Sequence, residues 1–230
     1  MLIVFDVDGT LVGGEFYDWS CFDQAIETVL GFEPTKEFFR SIPEITAQSI
    51  AVAAIGAANC RPGTGLEEKI RDEYLRRLRL VHNNDPHAFP ARKGITALLS
   101  HLSSLPDVGV AIATGDWFST STFKLGAAGI DFSRYAMATS SDVARRSEII
   151  KLAALRAGRP ISDVVYIGDG VWDIKACREL RVPFIGTGTR LDVLREAGAE
   201  HLMEVLEHVA LLDKLQIVFK RAVQLSAAQD

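Results

Sequence analysis

The sequence predicts an α/β protein whose parallel sheet is interrupted, after its first strand, by a unit made only of helices. From about residue 108 onward, short apolar runs alternate with longer segments at helical spacing, which is typical of parallel strands buried on both faces. Another apolar run, Leu2–Phe5, opens the chain, but from Asp18 to about His82 the pattern shows helical spacing only. With 48% apolar and 24% charged residues the chain is globular, which excludes disordered and fibrous classes.

The inserted unit follows the first strand directly. Two apolar stripes at helical spacing predict its helices: Phe22, Ile26, Val29 and Leu30, and then Ile70, Leu75, Leu78 and Val81. Gly13 and Gly14 precede the unit, and residues 83–90 follow it with Asn, Asp and Pro, which favour turns and stop helices. Two such linkers are expected to form a hinge.

The remaining elements belong to the core. Four further apolar runs predict its strands: Val108–Ala113, Tyr135–Ala138, Val164–Ile167 and Val182–Ile185. Helices between them are indicated by the stripes Ile95, Leu98, Leu99, Leu102 and Leu105, and Ile149, Leu152, Ala153 and Leu155. A last amphipathic helix, Val205–Leu225, is expected to pack on the sheet through Leu211, Leu212, Leu215, Val218, Phe219 and Val223.

Charge and composition narrow the class of ligand. Lys and Arg number 25 against 30 Asp and Glu, a net charge of −5, so no overall positive field attracts nucleic acid or an anionic membrane. The first apolar run stops at Asp6, and the longest, around residues 50–58, is broken by Gly56, so neither a signal peptide nor a membrane span is expected. Three cysteines without metal-ligand spacing favour a reducing, cytoplasmic location. A small-molecule ligand is the expectation.

Polar residues follow three of the predicted strands. Asp6 and Asp8 end the first strand two residues apart, so strand geometry would point both carboxylates the same way. Thr114 and Gly115 end the second strand in the chain, where a hydroxyl and an amide can donate to an anion. Each motif taken alone also fits a turn or a helix N-cap.

The third motif, Gly-Asp-x-x-x-Asp, contains Asp169 and Asp173. Ligands of open α/β sheets bind at the carboxyl ends of the strands, so Asp6, Asp8, Asp169 and Asp173 are expected to converge there. Two unit charges about 4 Å apart repel by roughly 4 kcal/mol at an effective dielectric of 20, so the cluster requires protons or a cation. An all-oxygen set suits Mg²⁺, which is the predicted cofactor.

The order Asp-x-Asp-Gly-Thr, Thr-Gly and Gly-Asp-x-x-x-Asp resembles the haloacid dehalogenase superfamily of aspartyl-phosphate hydrolases. The resemblance covers the whole chain. It implies a Rossmann-like, doubly wound core, residues 1–14 and 88–230, with a helical cap domain, residues 15–87, inserted after the first motif. It also implies a phosphomonoesterase acting on a small phosphate ester.

Site roles follow from the same resemblance. Asp6 would be the nucleophile, and Asp8 would give a proton to the leaving oxygen and later take one from water. The Asp6 carboxylate, the Asp8 main-chain carbonyl and Asp169 would hold Mg²⁺, and Asp173 would be a further ligand or would orient one. Thr114 and the Gly115 amide would bind the phosphoryl oxygens.

The positive residue that the family places between its second and last motifs has no single counterpart. The usual Lys-Pro is missing, and Arg146 is the preferred choice for catalysis and substrate binding. Arg145 and Lys151 stay open, and Lys151 is retained as a candidate for substrate binding. For each of them a solvated helix cation is the competing interpretation.

Two other functions compete with a phosphatase. A phosphomutase of the same superfamily would keep both acids of the first motif, and a non-enzymatic phospho-acceptor module would also combine acids, a Thr and a basic residue on a doubly wound sheet. Asp8 argues against a dehalogenase, which needs no second acid. A monomer or weak homodimer is expected, and the substrate is not legible in the sequence.

Overall fold

This computed structural model describes residues 1–61 and 63–227, and for His208 and residues 219–227 it describes the backbone only. Its helices are α1 (Glu15–Leu30), α2 (Lys36–Ser41), α3 (Ala47–Ala57), α4 (Leu66–Asn84), α5 (Ile95–Ser103), α6 (Phe118–Ala127), α7 (Arg146–Arg156), α8 (Val171–Leu180), α9 (Leu191–Glu196) and α10 (His208–Ala227). Short 3-10 turns lie at Phe132–Arg134 and Ile161–Asp163. None of the described helices combines the length and the apolar content that a membrane crossing requires.

The core is a parallel sheet of five described strands in the order β3-β2-β1-β4-β5. They are β1 (Leu2–Phe5), β2 (Gly109–Ala113), β3 (Ala136–Ala138), β4 (Val164–Gly168) and β5 (Phe184–Gly186). The parallel sheet is thus confirmed, with β2, β3 and β5 starting one or two residues later than expected. Strand order reverses at the central β1, and ligands of such sheets bind at this switch point.

Alternate residues of β1 face two separate apolar layers, which is why the whole strand is apolar. Leu2 and Val4 pack in a cluster with residues of α7 and α8. Ile3 and Phe5 pack in a second cluster with residues of α5 and α10. The doubly wound arrangement predicted for the core is therefore confirmed.

The last helix packs against α5 and starts at His208, three residues later than expected. Its side chains Leu211, Leu215 and Val218 are buried in the cluster shared with β1. Phe219 and Val223, which the expected apolar stripe includes, have side chains outside the described part of the chain.

Helices α1 to α4 lie between β1 and α5, and no strand occurs among the described residues of that segment. We call residues 15–87 the insert. Its helices α1 and α4 pack along each other, with the rings of Phe22 and Tyr74 5.1 Å apart. The two linkers lie side by side, because the Gly13 amide donates to the Pro90 carbonyl at 2.8 Å. Their action as a hinge stays a prediction.

Candidate active site

The three sequence motifs meet at the carboxyl edge of the sheet. Asp6 directly follows β1, and its amide donates to the Ile167 carbonyl of β4 at 2.9 Å. Thr114 directly follows β2, and its amide donates to Ala138 of β3 at 3.1 Å. Parallel pairing therefore continues through the first residue of each motif, which sets their side chains along one edge.

We call Asp6, Asp169 and Asp173 the acid trio, because each offers a carboxylate oxygen and these oxygens all lie within 4.8 Å of one another. Asp6 and Asp173 are buried and Asp169 is half-buried. The Oδ1 atom of Asp6 is buried and has no hydrogen-bond partner among the described residues.

The acid trio carries more negative charge than its surroundings neutralise. Burial raises the pKa of Asp6, and the nearby Arg146 guanidinium opposes that shift. Burial, followed by the carboxylates of Asp6 and Asp173, raises the pKa of Asp169 well above its usual range. Burial raises the pKa of Asp173 to about 7 even beside Arg146.

These carboxylates fit a hard divalent cation. The set holds only oxygen donors, one of which is buried and unpartnered, and neutralisation by a cation would offset the repulsion among the three groups. The residues present therefore match the donor set that Mg²⁺ prefers in proteins.

Arg146 lies in the first turn of α7 and is buried against the acid trio. Its Nη1 is 2.9 Å from Asp173 Oδ1 and 3.5 Å from Asp6 Oδ2. Its Nη2 donates to the main-chain carbonyl of Ile45 in the insert at 3.2 Å. The guanidinium carbon also lies 5.8 Å from the centre of the Trp172 ring. Of the three basic candidates, the structure brings this one to the acid trio.

The structure places Arg145 and Lys151 elsewhere. The Arg145 side chain is more than half exposed and contacts Glu179 at 2.9 Å. Lys151, expected to bind substrate, is exposed and contacts Glu148 at 2.8 Å. Five positions along a helix correspond to a rotation of about 140°, so Lys151 points away from the site that Arg146 faces.

A buried lysine, which the motifs do not reveal, occupies the other side of the site. Lys124 of α6 is fully buried. Its Nζ lies 2.7 Å from Asp8 Oδ1, 2.9 Å from Asp116 Oδ2 and 2.6 Å from Asp18 Oδ1. It also donates to the Tyr74 hydroxyl at 3.3 Å, and that hydroxyl contacts Asp18. We call these five residues the lysine cluster.

The lysine cluster determines the surroundings of Asp8. The Asp8 carboxylate is not part of the acid trio, and the expected role of its main-chain carbonyl towards a metal stays a prediction. Burial and the carboxylate of Asp18 raise the pKa of Asp8 well above its usual range, while the Lys124 ammonium opposes the shift. Burial lowers the pKa of Lys124, but the surrounding carboxylates outweigh it, so the net shift is upward.

One sequence signal for Lys124 exists, but it is weak. Thr120, Ser121 and Leu125 are buried on one face of α6, and Lys124 falls on that face at helical spacing. A charged residue on an inward face needs a buried partner. The partners lie in the loops that follow β1 and β2 and in helices of the insert, and no local pattern connects them.

A cavity of about 840 Å³ opens between the acid trio and the lysine cluster. Its core side includes Asp6, Asp8, Thr114, Gly115 and Arg146. The part of its wall that belongs to the insert includes five acids, and the described lining residues there include no Lys or Arg. These acids are Glu15, Asp18, Asp23, Glu27 and Glu33.

Two glycines at the strand ends leave room for charged side chains from other motifs. Gly9 has φ +75°, and a Cβ there would lie 2.1 Å from Asp169 Oδ2. A Cβ on Gly115 would lie 2.2 Å from Arg146 Nη2. Beside it, the buried Thr114 hydroxyl accepts a hydrogen bond from the Asp116 amide at 3.1 Å. The glycines of the first two motifs thus permit close contact with residues of later segments.

A family profile described as haloacid dehalogenase-like hydrolase matches residues 1–181. The chain therefore belongs to the haloacid dehalogenase-like hydrolases, and the family expected from the motifs is confirmed. Among curated proteins, no sequence matches the chain.

Solved structures share the fold. A hydrolase from Pseudomonas syringae aligns with a TM-score of 0.73 at 21% identity, covering 95% of this chain and 99% of that one. A β-phosphoglucomutase from Clostridium difficile aligns at 0.71 with 16% identity, covering 96% and 98%. CbbY from Rhodobacter sphaeroides, in complex with xylulose-(1,5)bisphosphate, aligns at 0.67 with 20% identity, covering 88% and 93%. At these identities the likeness establishes the fold.

Proposed function

We propose that this protein is a Mg²⁺-dependent phosphomonoesterase that hydrolyses a small phosphorylated metabolite through a phospho-aspartate at Asp6. The observation that carries the proposal is the position of Asp6. Its unpartnered Oδ1 lies within a trio of carboxylates, and both Asp6 and Asp8 line the same cavity. A nucleophile and a separate acid are thereby available to one bound substrate.

The reaction has two steps. In the first, an Asp6 carboxylate oxygen attacks phosphorus, the bond from phosphorus to the ester oxygen breaks, and protonated Asp8 gives its proton to the leaving alkoxide. In the second, Asp8 takes a proton from water, and the resulting hydroxide attacks the phosphorus of the phospho-aspartate. The bond between phosphorus and the Asp6 oxygen breaks, inorganic phosphate leaves, and Asp6 and Asp8 return to their starting states.

Binding groups surround the position that the phosphoryl group would take. Arg146, the Thr114 hydroxyl and the Gly115 amide would hold its oxygens, because all three residues line the cavity beside Asp6. Asp6, Asp169, Asp173 and the Asp8 main-chain carbonyl would hold Mg²⁺. A bound Mg²⁺ would supply positive charge that offsets the repulsion between the dianionic ester and the carboxylates.

The insert would act as a cap and would select the leaving group. Of its five acids in the cavity wall, Asp18 is paired with Lys124 and Glu15 with Arg92. The other three, Asp23, Glu27 and Glu33, would repel a second phosphate or a carboxylate, so we expect a leaving group that is uncharged or cationic. Closure of the insert over the cavity would exclude water from the phosphoryl-transfer step. The cytoplasmic location and the monomeric or weakly dimeric state are kept as expectations.

The test is a panel of phosphate esters scored by released phosphate, with and without Mg²⁺. The panel holds sugar phosphates, aminoalkyl phosphates, carboxylate-bearing phosphates and aryl phosphates. We expect Mg²⁺-dependent release from at least one member, with the first two classes favoured. A phosphorylated isomer formed without phosphate release would identify a mutase instead.

Asp6→Asn supplies the internal control for the panel. We expect this variant to fold and to lose turnover, because the attacking oxygen is replaced by an amide. The matched control is Asp107→Asn, an exposed aspartate at the opposite end of the sheet, which should keep full activity. Turnover by Asp6→Asn above a few per cent of the wild-type rate would show that another group attacks phosphorus.

A further inference from the structure

The lysine cluster connects Asp8, the proposed acid–base residue, to two helices of the insert through the ammonium group of Lys124. Asp8 and Asp116 follow β1 and β2 of the core, whereas Asp18 and Tyr74 belong to α1 and α4. The Lys124 Nζ lies within 2.9 Å of all three carboxylates. A lysine ammonium has three N–H donors, and four described acceptors surround this one, the three carboxylates and, at 3.3 Å, the Tyr74 hydroxyl.

The ion pair with Lys124, 2.7 Å from Nζ to Oδ1, restrains the Asp8 carboxylate. Because Lys124 is fully buried, the ammonium cannot exchange these partners for water without leaving its position. The contact to Asp8 is made by Oδ1. The Asp8 side chain keeps 26% exposure and lines the cavity, so Oδ2 is the atom placed to exchange a proton with a bound substrate.

The same contacts tie Asp8 to the insert. Asp18 is contacted by both Lys124 and the Tyr74 hydroxyl, so α1, α4 and α6 are connected at one point. Movement of the insert away from the core would remove Asp18 and Tyr74 from the ammonium. The ammonium would then keep Asp8 and Asp116 as its ion-pair partners within the lysine cluster.

We propose that Lys124 is a positioning residue, which holds Asp8 in the orientation for proton transfer and makes that orientation depend on the insert lying against the core through Asp18. The inference rests on the phosphomonoesterase function proposed above. Arg146, on the other side of the cavity, is the cation that meets the phosphoryl group, while Lys124 acts through Asp8.

The leaving group of the substrate separates this role from a purely structural one. p-Nitrophenolate leaves without protonation, whereas an alkoxide requires the proton of Asp8. Misorientation of Asp8 therefore slows the first step for an alkyl phosphate and leaves it intact for p-nitrophenyl phosphate. It also slows the second step for both substrates, because water activation needs the same carboxylate.

The first experiment compares Lys124→Met with the wild-type protein on both substrates. We expect kcat for the alkyl phosphate to fall by about 100-fold, within the usual contribution of a general acid. On p-nitrophenyl phosphate we expect an initial burst of one p-nitrophenol per site, then slow turnover with phosphorylated protein accumulating. Lys124→Arg should restore part of the alkyl phosphate rate, and Lys69→Met, an exposed lysine of α4, should leave both rates unchanged.

The second experiment addresses the link to the insert. Asp18→Asn keeps the shape of the side chain and removes its charge, so we expect the same substrate-dependent pattern with a smaller loss, about tenfold for the alkyl phosphate. The matched control is Asp72→Asn, an exposed aspartate on α4, which should behave as wild type. If Lys124→Met does not fold, Asp18→Asn carries the test alone.

The outcomes are separable. Folded Lys124→Met that keeps its alkyl phosphate rate, or that loses both substrates equally without a burst, overturns the positioning role. Unchanged rates in Asp18→Asn overturn the dependence on the insert. Absence of turnover by the wild-type protein on every ester overturns the phosphomonoesterase function itself, and the inference with it.

Discussion

The site contains two buried cations, Lys124 and Arg146, and each lies beside a group of three carboxylates. Lys124 forms ion pairs with three carboxylates, those of Asp8, Asp18 and Asp116, although the buried Asp116 Oδ2 has no hydrogen bond among the described residues. Arg146 contacts Asp173 and Asp6 from one side, while Asp169 and the Oδ1 atom of Asp6 remain without it. Both groups thus hold three carboxylates for one cation, and they differ because Lys124 contacts all three of its acids whereas Arg146 contacts two.

The two groups also differ in where their residues come from: the acid trio belongs to the core, whereas the lysine cluster is shared between the core and the insert. Arg146 and the acid trio come from strand ends and from α7 and α8, with the Ile45 carbonyl as a contact from the insert. The lysine cluster draws two of its five members from α1 and α4. We therefore expect chemistry at phosphorus to depend on the first group, and its coupling to closure on the second.

The largest expected effect tests which group of acids binds the metal. Asp169→Asn should abolish Mg²⁺-dependent turnover and the rise in thermal stability on adding Mg²⁺. A ligand at 100 times its Kd stabilises the folded state by about 2.7 kcal/mol, which thermal unfolding resolves easily. Asp116→Asn is the matched variant in the lysine cluster and should keep the stability response to Mg²⁺. A stability response to Mg²⁺ that is lost in Asp116→Asn and kept in Asp169→Asn would contradict the prediction, because it would place the metal in the lysine cluster.

A smaller effect is expected from Arg146→Ala. A hydrogen bond to a charged group contributes about 1.5–3 kcal/mol, so the inhibition constant of inorganic phosphate should rise roughly 10- to 100-fold. Lys151→Ala should change it far less, because that side chain is exposed and contacts Glu148. Removal of Arg146 also leaves Asp173 without its cation, which would destabilise the fold. Arg146→Lys keeps the positive charge, so it tests the loss of phosphate binding separately from a loss of protein stability. A larger loss in Lys151→Ala would reassign the basic residue.

Next in size is Gly115→Ala. Its methyl group would lie 2.2 Å from Arg146 Nη2, so the guanidinium must shift from its present position. Small misplacements of binding groups are costly, and we expect kcat/KM to fall by about tenfold. Gly126→Ala in α6 is the control, since a Cβ there meets no atom within 4 Å. Equal activity of the two variants would mean that Arg146 adapts without loss.

The smallest effect concerns an ion pair nearer the surface, Asp142 with Arg156. Hydrogen bonds from Arg156 lower the pKa of Asp142. The pair therefore stabilises the protein above the unfolded-state pKa of about 3.9, and this stability is lost as the pH falls through the lower folded-state value. Because both side chains are partly exposed, Asp142→Asn should cost at most about 1 kcal/mol near pH 7 and progressively less in acid. Chemical unfolding at several pH values measures it, and a cost that grows in acid would contradict this sign.

The pattern of residues along the chain predicted the parallel strands and, in the site, the acids at the strand ends and Arg146. The apolar runs predicted the parallel strands, because strands buried on both faces cannot carry polar residues. The acids of the first and third motifs follow β1 and β4, so their convergence followed from the rule that parallel strands end at the same edge. Arg146 was preferred from its motif context, and the structure brings it to the acid trio.

The roles of Arg145 and Lys151 depend on which face of α7 turns inward. Arg145 precedes α7, Arg146 begins it and Lys151 lies in its middle. Arg146 is buried, while Lys151 is exposed. A helix with apolar residues on several faces leaves its orientation to packing against neighbouring elements. Sequence spacing alone therefore kept the alternatives open.

Local pattern along the chain was enough to specify the strands, the helical insert and the acids at the strand ends, since periodicity and connectivity act over a few residues at a time. The lysine cluster required the folded protein. Lys124 and Asp18 are 106 positions apart, and they meet only because the insert packs on α6. Burial of one ammonium then makes its carboxylate partners obligatory, a requirement that no short segment of the sequence displays.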